Sequence, residues 1–349
     1  MNRFENMMDA IANRATTHLT KLTNHVKKSL VNSTPRVCCK PLMWLTALLL
    51  TVFVAGCGGS DPILGVSIVG ATGPAGINTS MLKSAAPFGI AATAGVTNTG
   101  TAPNTTINGN VVLEPVAGAI CNNVAVDIAG GFGPCGGFPP TLGGTSKVFS
   151  ANYDPAPSIV ATVKSDLQAA FLKITPPAGP PAAGSLGGAT NLPAGTTLGA
   201  VPGSAPVVGD NLFFPGVYQS LTSIMITGDL TLDAQGNPNA VFVFQSSSTL
   251  GTADGSAPPV PHTRILLVNG AKASNVWWQA GSSVTLGLYS EFQGNILAAA
   301  SITMKTGSTS CGRLLAGAFT AGAFVFDANV VSVPGQPFLP PVGYSTVCQ

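Results

Sequence analysis

The 349-residue sequence contains few charged residues, and most of its positive charge lies near the start. Asp, Glu, Lys and Arg make up 8% of the chain, well below the roughly 25% typical of soluble domains. Seven of the fifteen Lys/Arg residues precede residue 41, and no cluster of them follows. A protein that binds nucleic acid needs concentrated positive charge to neutralise phosphates. Nucleic acid is therefore not an expected partner.

Residue types that carry enzyme chemistry are also scarce. The chain has three histidines, and no Gly-x-Ser-x-Gly motif or metal-spaced histidine pair occurs in it. His262 lies in a proline-rich loop, where a lone histidine is usually a surface residue. The later carboxylates are scattered, whereas a glycosidase needs two that converge. We therefore expect a protein without catalytic activity, cofactor or metal; the carboxylates in question are Asp210, Asp229, Asp254, Glu291 and Asp327.

The apolar run from Leu42 to Val54 is too short for a comfortable membrane span of about 20 residues. It follows a basic segment and ends in Val54-Ala-Gly-Cys57, as a secretory signal does. This ending resembles a bacterial lipobox, which implies that Cys57 is lipidated and becomes the mature N-terminus. Gly58 follows, and by resemblance to lipoprotein sorting this favours the outer membrane if the cell is Gram-negative. We expect an exported protein tethered to a membrane by a lipid anchor; an ordinary signal peptide or an uncleaved anchor is the alternative.

Four cysteines follow Cys57, and an even number in an exported chain suggests two disulfides. Three pairings are possible. We favour Cys121–Cys135, which would close a glycine-rich loop, and Cys311–Cys348, which would attach the C-terminal tail to the β domain. Metal binding is disfavoured, because no two of the four have close zinc-like spacing.

A near-repeat is the strongest structural signal. Ser283-Val-Thr-Leu286 recurs as Ser301-Ile-Thr-Met304, and Gly294-Asn-Ile-Leu-Ala298 recurs as Gly312-Arg-Leu-Leu-Ala316. A period near 20 residues with alternating apolar positions is typical of a β-solenoid, in which stacked coils share one core. Alternation predicts that the apolar residues of each four-residue unit point inward and that Thr285 and Thr303 point outward.

One segment has helical rather than strand spacing. Its apolar residues are Val160, Val163, Leu167, Phe171 and Ile174, which predicts an amphipathic helix over 158–174. Its apolar stripe should pack along one side of the solenoid. The expected organisation is a signal region (1–57), a flexible tether (58–78), a β-helix domain (79–333) and a C-terminal tail (334–349).

Several motifs resemble the ice-binding-like family of microbial antifreeze proteins. They include Ser84-Ala-Ala-Pro-Phe-Gly89, Phe214-Pro-Gly-Val-Tyr218, Ser274-Asn-Val-Trp-Trp-Gln279 and Phe292-Gln-Gly-Asn-Ile-Leu-Ala298. The resemblance covers about residues 80–333. It implies a mainly β fold: a right-handed β-helix of triangular section, with one long α-helix packed along its side.

The resemblance also implies a function. Members that bind ice present a flat face of Thr, Ser, Ala and Asn, so an ice crystal is the expected partner. The expected face contains Thr285 and Thr303 and, by aligning the next coil on the family, Val325; the N-terminal coils offer Thr93, Thr97 and Thr99. Lys305 and Glu291 would disturb such a face if they project from it. Since fold alone does not fix function, the alternative is a non-enzymatic surface protein that binds polysaccharide or another cell.

Overall fold

A computed structural model describes residues 72–113, 125–126, 132–133, 138–150, 159–177, 186–258, 262–338 and 347–349. All of these belong to the unit Leu64–Gln349. The predicted signal region, including Cys57, lies outside the described residues, and so do Cys121 and Cys135. Among the described helices, none is long and apolar enough to cross a membrane.

The strands are short, because glycine, proline and asparagine interrupt the sequence every few residues and favour turns. Those before the helix are β1 (Phe88–Ala92), β2 (Val96–Asn98), β3 (Thr106–Asn108), β4 (Asn110–Leu113), β5 (Ala125–Val126), β6 (Phe132–Gly133), β7 (Thr141–Leu142) and β8 (Val148–Ser150). Helix α1 spans Ile159–Lys173, and a short 3-10 helix precedes β1 at Thr79–Ala85.

The strands after the helix are β9 (Thr190–Asn191), β10 (Thr196–Leu198), β11 (Leu212–Phe213), β12 (Gly216–Ser220), β13 (Ile224–Ile226), β14 (Asp229–Asp233), β15 (Phe242–Ser246), β16 (Leu250–Thr252), β17 (Arg264–Val268), β18 (Val276–Ala280), β19 (Val284–Leu286), β20 (Glu291–Gln293), β21 (Asn295–Ala298), β22 (Ile302–Met304), β23 (Thr309–Cys311), β24 (Leu314–Leu315), β25 (Phe324–Phe326) and β26 (Val330–Ser332). A second 3-10 helix, Ala273–Asn275, lies between β17 and β18.

Three parallel sheets form the sides of a solenoid. Sheet A has the order β8-β4-β1-β24-β21-β18-β15-β12-β9, sheet B has β10-β13-β16-β19-β22-β25-β2, and sheet C has β11-β14-β17-β20-β23-β26-β3-β7; β5 and β6 form a separate pair. From β9 onward, successive strands pass from A to B to C, so three strands make one coil. Val284 pairs with Ile302, and Glu291 pairs with Thr309, each 18 residues on. The predicted solenoid is confirmed, and so is the 18-residue offset within residues 283–316.

The coils do not stack in chain order. The first coil, β1 to β3, packs against the last one, β24 to β26, with Ile90 opposite Leu314 and Ile107 opposite Val331. Helix α1 then connects β8, at one end of sheet A, to β9, at the other end. The buried Arg313 links the two coils across this contact, because its Nε donates to the carbonyl of Ala86 at 2.8 Å.

The interior of the solenoid is filled by the inward side chains of all three sheets. Aromatic rings stack from coil to coil: Phe244 lies 4.2 Å from Trp278 and 5.2 Å from Tyr218, centroid to centroid. The buried Trp278 Nε1 donates to the carbonyl of Gln293 at 3.0 Å, so its polar atom is satisfied. Such an interior holds the backbone rigidly and fixes the spacing of the outward residues.

Helix α1 covers the outer side of sheet A. Its buried residues Val160, Val163, Leu167 and Phe171 pack in one cluster with outward residues of the sheet, among them Trp277. The prediction of a helix along one side is confirmed, with bounds one residue inside the predicted 158–174 at each end.

The predicted tether ends earlier than residue 78. The carbonyl of Thr72 accepts from the backbone N–H of Val241 at 3.0 Å. Ile77 is 2% exposed and joins the cluster beneath the helix, and the Asn78 side chain caps the following 3-10 helix. Residues 72–78 therefore pack on the solenoid, because Ile77 is buried there and Asn78 caps the 3-10 helix that follows.

Candidate functional site

The three sides of the solenoid differ in what covers them. Sheet A lies under helix α1. Sheet C carries an ion pair on its outward side, in which Arg264 Nη2 lies 2.7 Å from Asp229 Oδ2. The described part of the C-terminal tail also contacts sheet C, since Asn108 Nδ2 donates to the carbonyl of Pro337 at 3.0 Å. Sheet B is the remaining side.

The tail is fixed to sheet C by a disulfide. Cys311 of β23 is joined to Cys348 with an S–S distance of 2.10 Å. Around it, Ala273 and Phe338 are buried in a small apolar cluster. The structure thus forms one of the two pairings favoured from the sequence, and the described part of the tail lies on sheet C rather than on sheet B.

A row of uncharged residues, most of them small, runs along the middle of sheet B. Each three-residue strand directs its first and last residues inward and its middle residue outward, as alternation requires. The middle residues lie side by side in register from coil to coil, in the order Thr197, Met225, Gly251, Thr285, Thr303, Val325 and Thr97. We call these seven residues the central row.

A second row precedes it along each strand. Its members are small and uncharged, and they are partly or fully exposed. Backbone hydrogen bonds join them to the next coil; for example, the N–H of Val284 donates to the carbonyl of Ser301 at 2.9 Å. This leading row comprises Gly195, Ser223, Thr249, Ser283, Ser301, Ala323 and Gly95. The central and leading rows together form an uncharged surface, called here the sheet B face.

Charged residues lie beside this face rather than on it. Lys305 follows β22 and pairs with Asp254, with Nζ and Oδ2 2.9 Å apart. This contact and a hydrogen bond from the N–H of Leu288 lower the pKa of Asp254. Asp327 follows β25 and accepts hydrogen bonds from the hydroxyls of Thr99 and Thr306. The ionic groups thus mark the border between sheets B and C.

Glu291 does not disturb the sheet B face, because it belongs to sheet C and is 3% exposed. Its Oε1 lies 2.8 Å from Nε2 of His262, whose side chain is 9% exposed. The expectation that His262 is a surface residue is therefore wrong, since a buried carboxylate gives the ring a polar partner inside. Among the described residues, no group of three or more His, Cys, Asp or Glu is arranged to hold a metal ion.

The structure brings four of the six predicted face residues into one row. Thr285, Thr303, Val325 and Thr97 are consecutive members of the central row, although Thr97 comes from the first coil and the other three come from the last three. Their shared position follows from the contact between the first and the last coil.

The other two predicted residues lie elsewhere. Thr99 is exposed but lies at the charged border, where it bonds Asp327. Thr93 is 6% exposed, and its Oγ1 accepts from the N–H of Gly322 at 2.8 Å. Thr93 therefore serves the corner between sheets A and B and is not part of the sheet B face.

Sequence reasoning missed Thr197, the outward residue of the coil at the other end. Its neighbours Thr196 and Leu198 are buried, so the strand has the same in-out-in pattern as β19. The in-out-in triplet was the available signal. It was hidden because a long loop, 199–211, separates β10 from β11 and breaks the 18-residue period.

A family model described as ice-binding-like matches residues 90–331, which is more than half of the chain. The chain belongs to the ice-binding-like family. The matched range begins in β1 and ends in β26, so it includes all of sheet B, and helix α1 lies within it. The residues that match the family model are therefore the residues that form the solenoid.

Individual relatives agree with this family. An ice-binding protein of Flammulina populicola is 28% identical over 292 residues, which cover 83% of this chain and 98% of that protein. An ice-binding protein of Nostoc sp. (strain HG1) is 50% identical over 119 residues, covering 34% of this chain and 40% of that protein. The match thus spans less than half of the Nostoc protein. The crystal structure of an ice-binding protein from Antarctomyces psychrotrophicus has a TM-score of 0.50 and 30% identity, with 72% of this chain and 96% of that chain covered.

Proposed function

We propose that this chain binds ice crystals through the sheet B face. The observation that carries the proposal is the in-register central row, in which four threonines are presented on an uncharged side of the solenoid that no other described segment covers. The relatives named as ice-binding proteins add support, because they share the family and the fold.

The physical basis is a fixed two-dimensional array. Neighbouring strands are about 4.8 Å apart and alternate residues along a strand about 6.6 Å apart. The central and leading rows therefore place methyl and hydroxyl groups on a regular grid, where water can be held in an ordered layer. Since the aromatic interior and the inter-coil hydrogen bonds keep the strands rigid, little conformational entropy is lost on binding.

The grid is imperfect, and we expect modest activity. Met225, Gly251 and Val325 replace threonine at three of the seven central positions. The longest stretch of β-branched residues in the row runs over Thr285, Thr303, Val325 and Thr97, which makes these coils the centre of the proposed contact.

The test is a bulky substitution on the sheet B face, compared with the same substitution on sheet C. Thr285→Tyr and Thr303→Tyr should each weaken recrystallisation inhibition and thermal hysteresis severalfold, because a phenol ring lifts the surface off a flat ice plane. Both side chains point outward, so folding should be retained, as checked by circular dichroism and thermal unfolding.

Thr231→Tyr is the matched control. Thr231 is the outward residue in the middle of β14 in sheet C, opposite Leu266, and its substitution should leave ice activity unchanged. Full activity in folded Thr285→Tyr and Thr303→Tyr proteins would refute the proposed face. Binding of a polysaccharide by a protein without any ice activity would favour the adhesive alternative.

We also propose that the protein is non-enzymatic, exported and attached to the outer membrane or cell surface through lipidated Cys57. The supporting observation is the basic segment, apolar run and Val54-Ala-Gly-Cys57 ending in the sequence. Mass spectrometry of the mature protein isolated from membranes should identify an acylated N-terminal Cys57. An N-terminus at any other residue, or an unmodified Cys57, would refute the anchor.

A further inference from the structure

We propose that Met225 is an oxidation site through which a hydroperoxide weakens binding by the sheet B face. This inference rests on the proposed function. Met225 occupies the second position of the central row, between Thr197 and Gly251. Met225 brings an oxidisable side chain to that row, whereas the residues on either side of the Met225–Gly251 pair are threonines.

The thioether of Met225 lies across its neighbour in the row. A Cβ placed on Gly251 would lie 3.2 Å from Met225 Cε and 3.4 Å from its Sδ. The side chain therefore covers the space left by the missing side chain of Gly251, and Gly251 is buried although it is a middle residue. Together, Met225 and Gly251 fill two adjacent positions of the face with one flexible apolar group.

Exposure makes Met225 the selective target among the described methionines. Met225 is 43% exposed, whereas Met81 is 7% exposed and Met304 is fully buried. The other four methionines of the sequence precede Cys57 and so fall within the predicted signal region. A small oxidant should therefore reach the sulfur of Met225 well before the other two.

The chemistry is a two-electron oxygen transfer from a hydroperoxide. A sulfur lone pair attacks the distal peroxide oxygen, the O–O bond breaks, and an S–O bond forms. The sulfur is oxidised to a sulfoxide, and the proton of the transferred hydroxyl passes to the leaving oxygen, which departs as water or an alcohol. The product is polar and chiral. It puts a strongly hydrated dipole at the Met225–Gly251 pair, the apolar part of the row.

Hydrogen peroxide treatment of the purified protein tests this inference. Peptide mass spectrometry should show one added oxygen on Met225 before Met81 or Met304 is modified. Recrystallisation inhibition should then fall severalfold, with unchanged circular dichroism, and methionine sulfoxide reductase should restore it. Earlier oxidation of Met81 or Met304, or full activity in protein oxidised at Met225, would overturn the inference.

Met225→Leu is the matched variant, and its ice activity is compared before and after treatment with peroxide. Leucine has a similar volume and cannot be oxidised, so its activity should not change on treatment, whereas Met81→Leu should stay sensitive. Equal loss in Met225→Leu would place the damage elsewhere, for example on cysteine, and would refute the inference. If the untreated protein had no ice activity, the proposed function would be refuted instead. The peptide masses would still show whether Met225 is the methionine that is oxidised first.

Discussion

Gly312 shows how tightly the coils approach one another at a single residue. It lies between β23 and β24, where the chain turns from sheet C to sheet A, and its φ is 144°. A Cβ at this position would lie 2.0 Å from the carbonyl oxygen of Gly294, the equivalent glycine of the preceding coil. Only glycine fits, because both the dihedral angle and the space exclude a side chain.

We therefore expect Gly312→Ala to lower the free energy of unfolding by about 2 kcal/mol or more, since backbone strain and the clash with Gly294 add together. Gly187→Ala is the matched control, because a Cβ there has no atom within 4 Å, and its effect should stay within about 0.5 kcal/mol. Denaturant unfolding measures both. Equal stability of the two variants would contradict this account of the coil corner.

At the scale of elements, the coils of residues 283–316 and helix α1 were predictable. In these coils the repeat contains no insertion, so apolar alternation predicts directly which residues of β19 and β22 point inward and which point outward. The helix has its own signal, because Val163, Leu167 and Phe171 recur at helical rather than strand spacing. Both predictions rest on local patterns that need no knowledge of distant contacts.

The position of the first coil was not predictable in this way. Thr97 reaches the central row only because β2 pairs with β25, and no local pattern reports a contact between residues more than 200 apart. The misplacement of Thr93 has a related cause. Counting every second residue back from Thr97 reaches Thr93, but the chain turns at Ala94 and Gly95 from sheet A to sheet B, which breaks the alternation.

At the scale of the whole molecule, the three sheets have separate roles. Sheet A binds the helix, sheet C binds the tail and carries ion pairs, and sheet B is left uncovered within the described residues. The few carboxylates join segments that are distant in sequence. Asp166 on the helix accepts from the hydroxyl of Ser84 at 2.6 Å, and Asp254 contacts Lys305. These bonds help hold the coils in register.

Three of these carboxylates have a lowered pKa in the folded protein. The hydroxyl of Ser84 is the main cause for Asp166, and Lys305 is the main cause for Asp254. For Asp327, burial alone would raise the pKa, but hydrogen bonds from Thr101, Thr306 and Thr99 together outweigh it, so the pKa falls. In each case the folded state favours the ionised form more than the unfolded chain does, so fewer protons are bound on folding.

A group with a depressed folded pKa stabilises the fold above its unfolded value, here 3.8, and loses that contribution as the pH falls through the folded pKa. The melting temperature should therefore be steady near neutral pH and fall below about pH 4. Asp327→Asn should melt lower than the parent at about pH 6 and show a smaller further fall by about pH 3, because one titrating carboxylate is gone. Thermal unfolding followed across this range measures both. Parallel curves for the two proteins would show that Asp327 does not take part in acid unfolding.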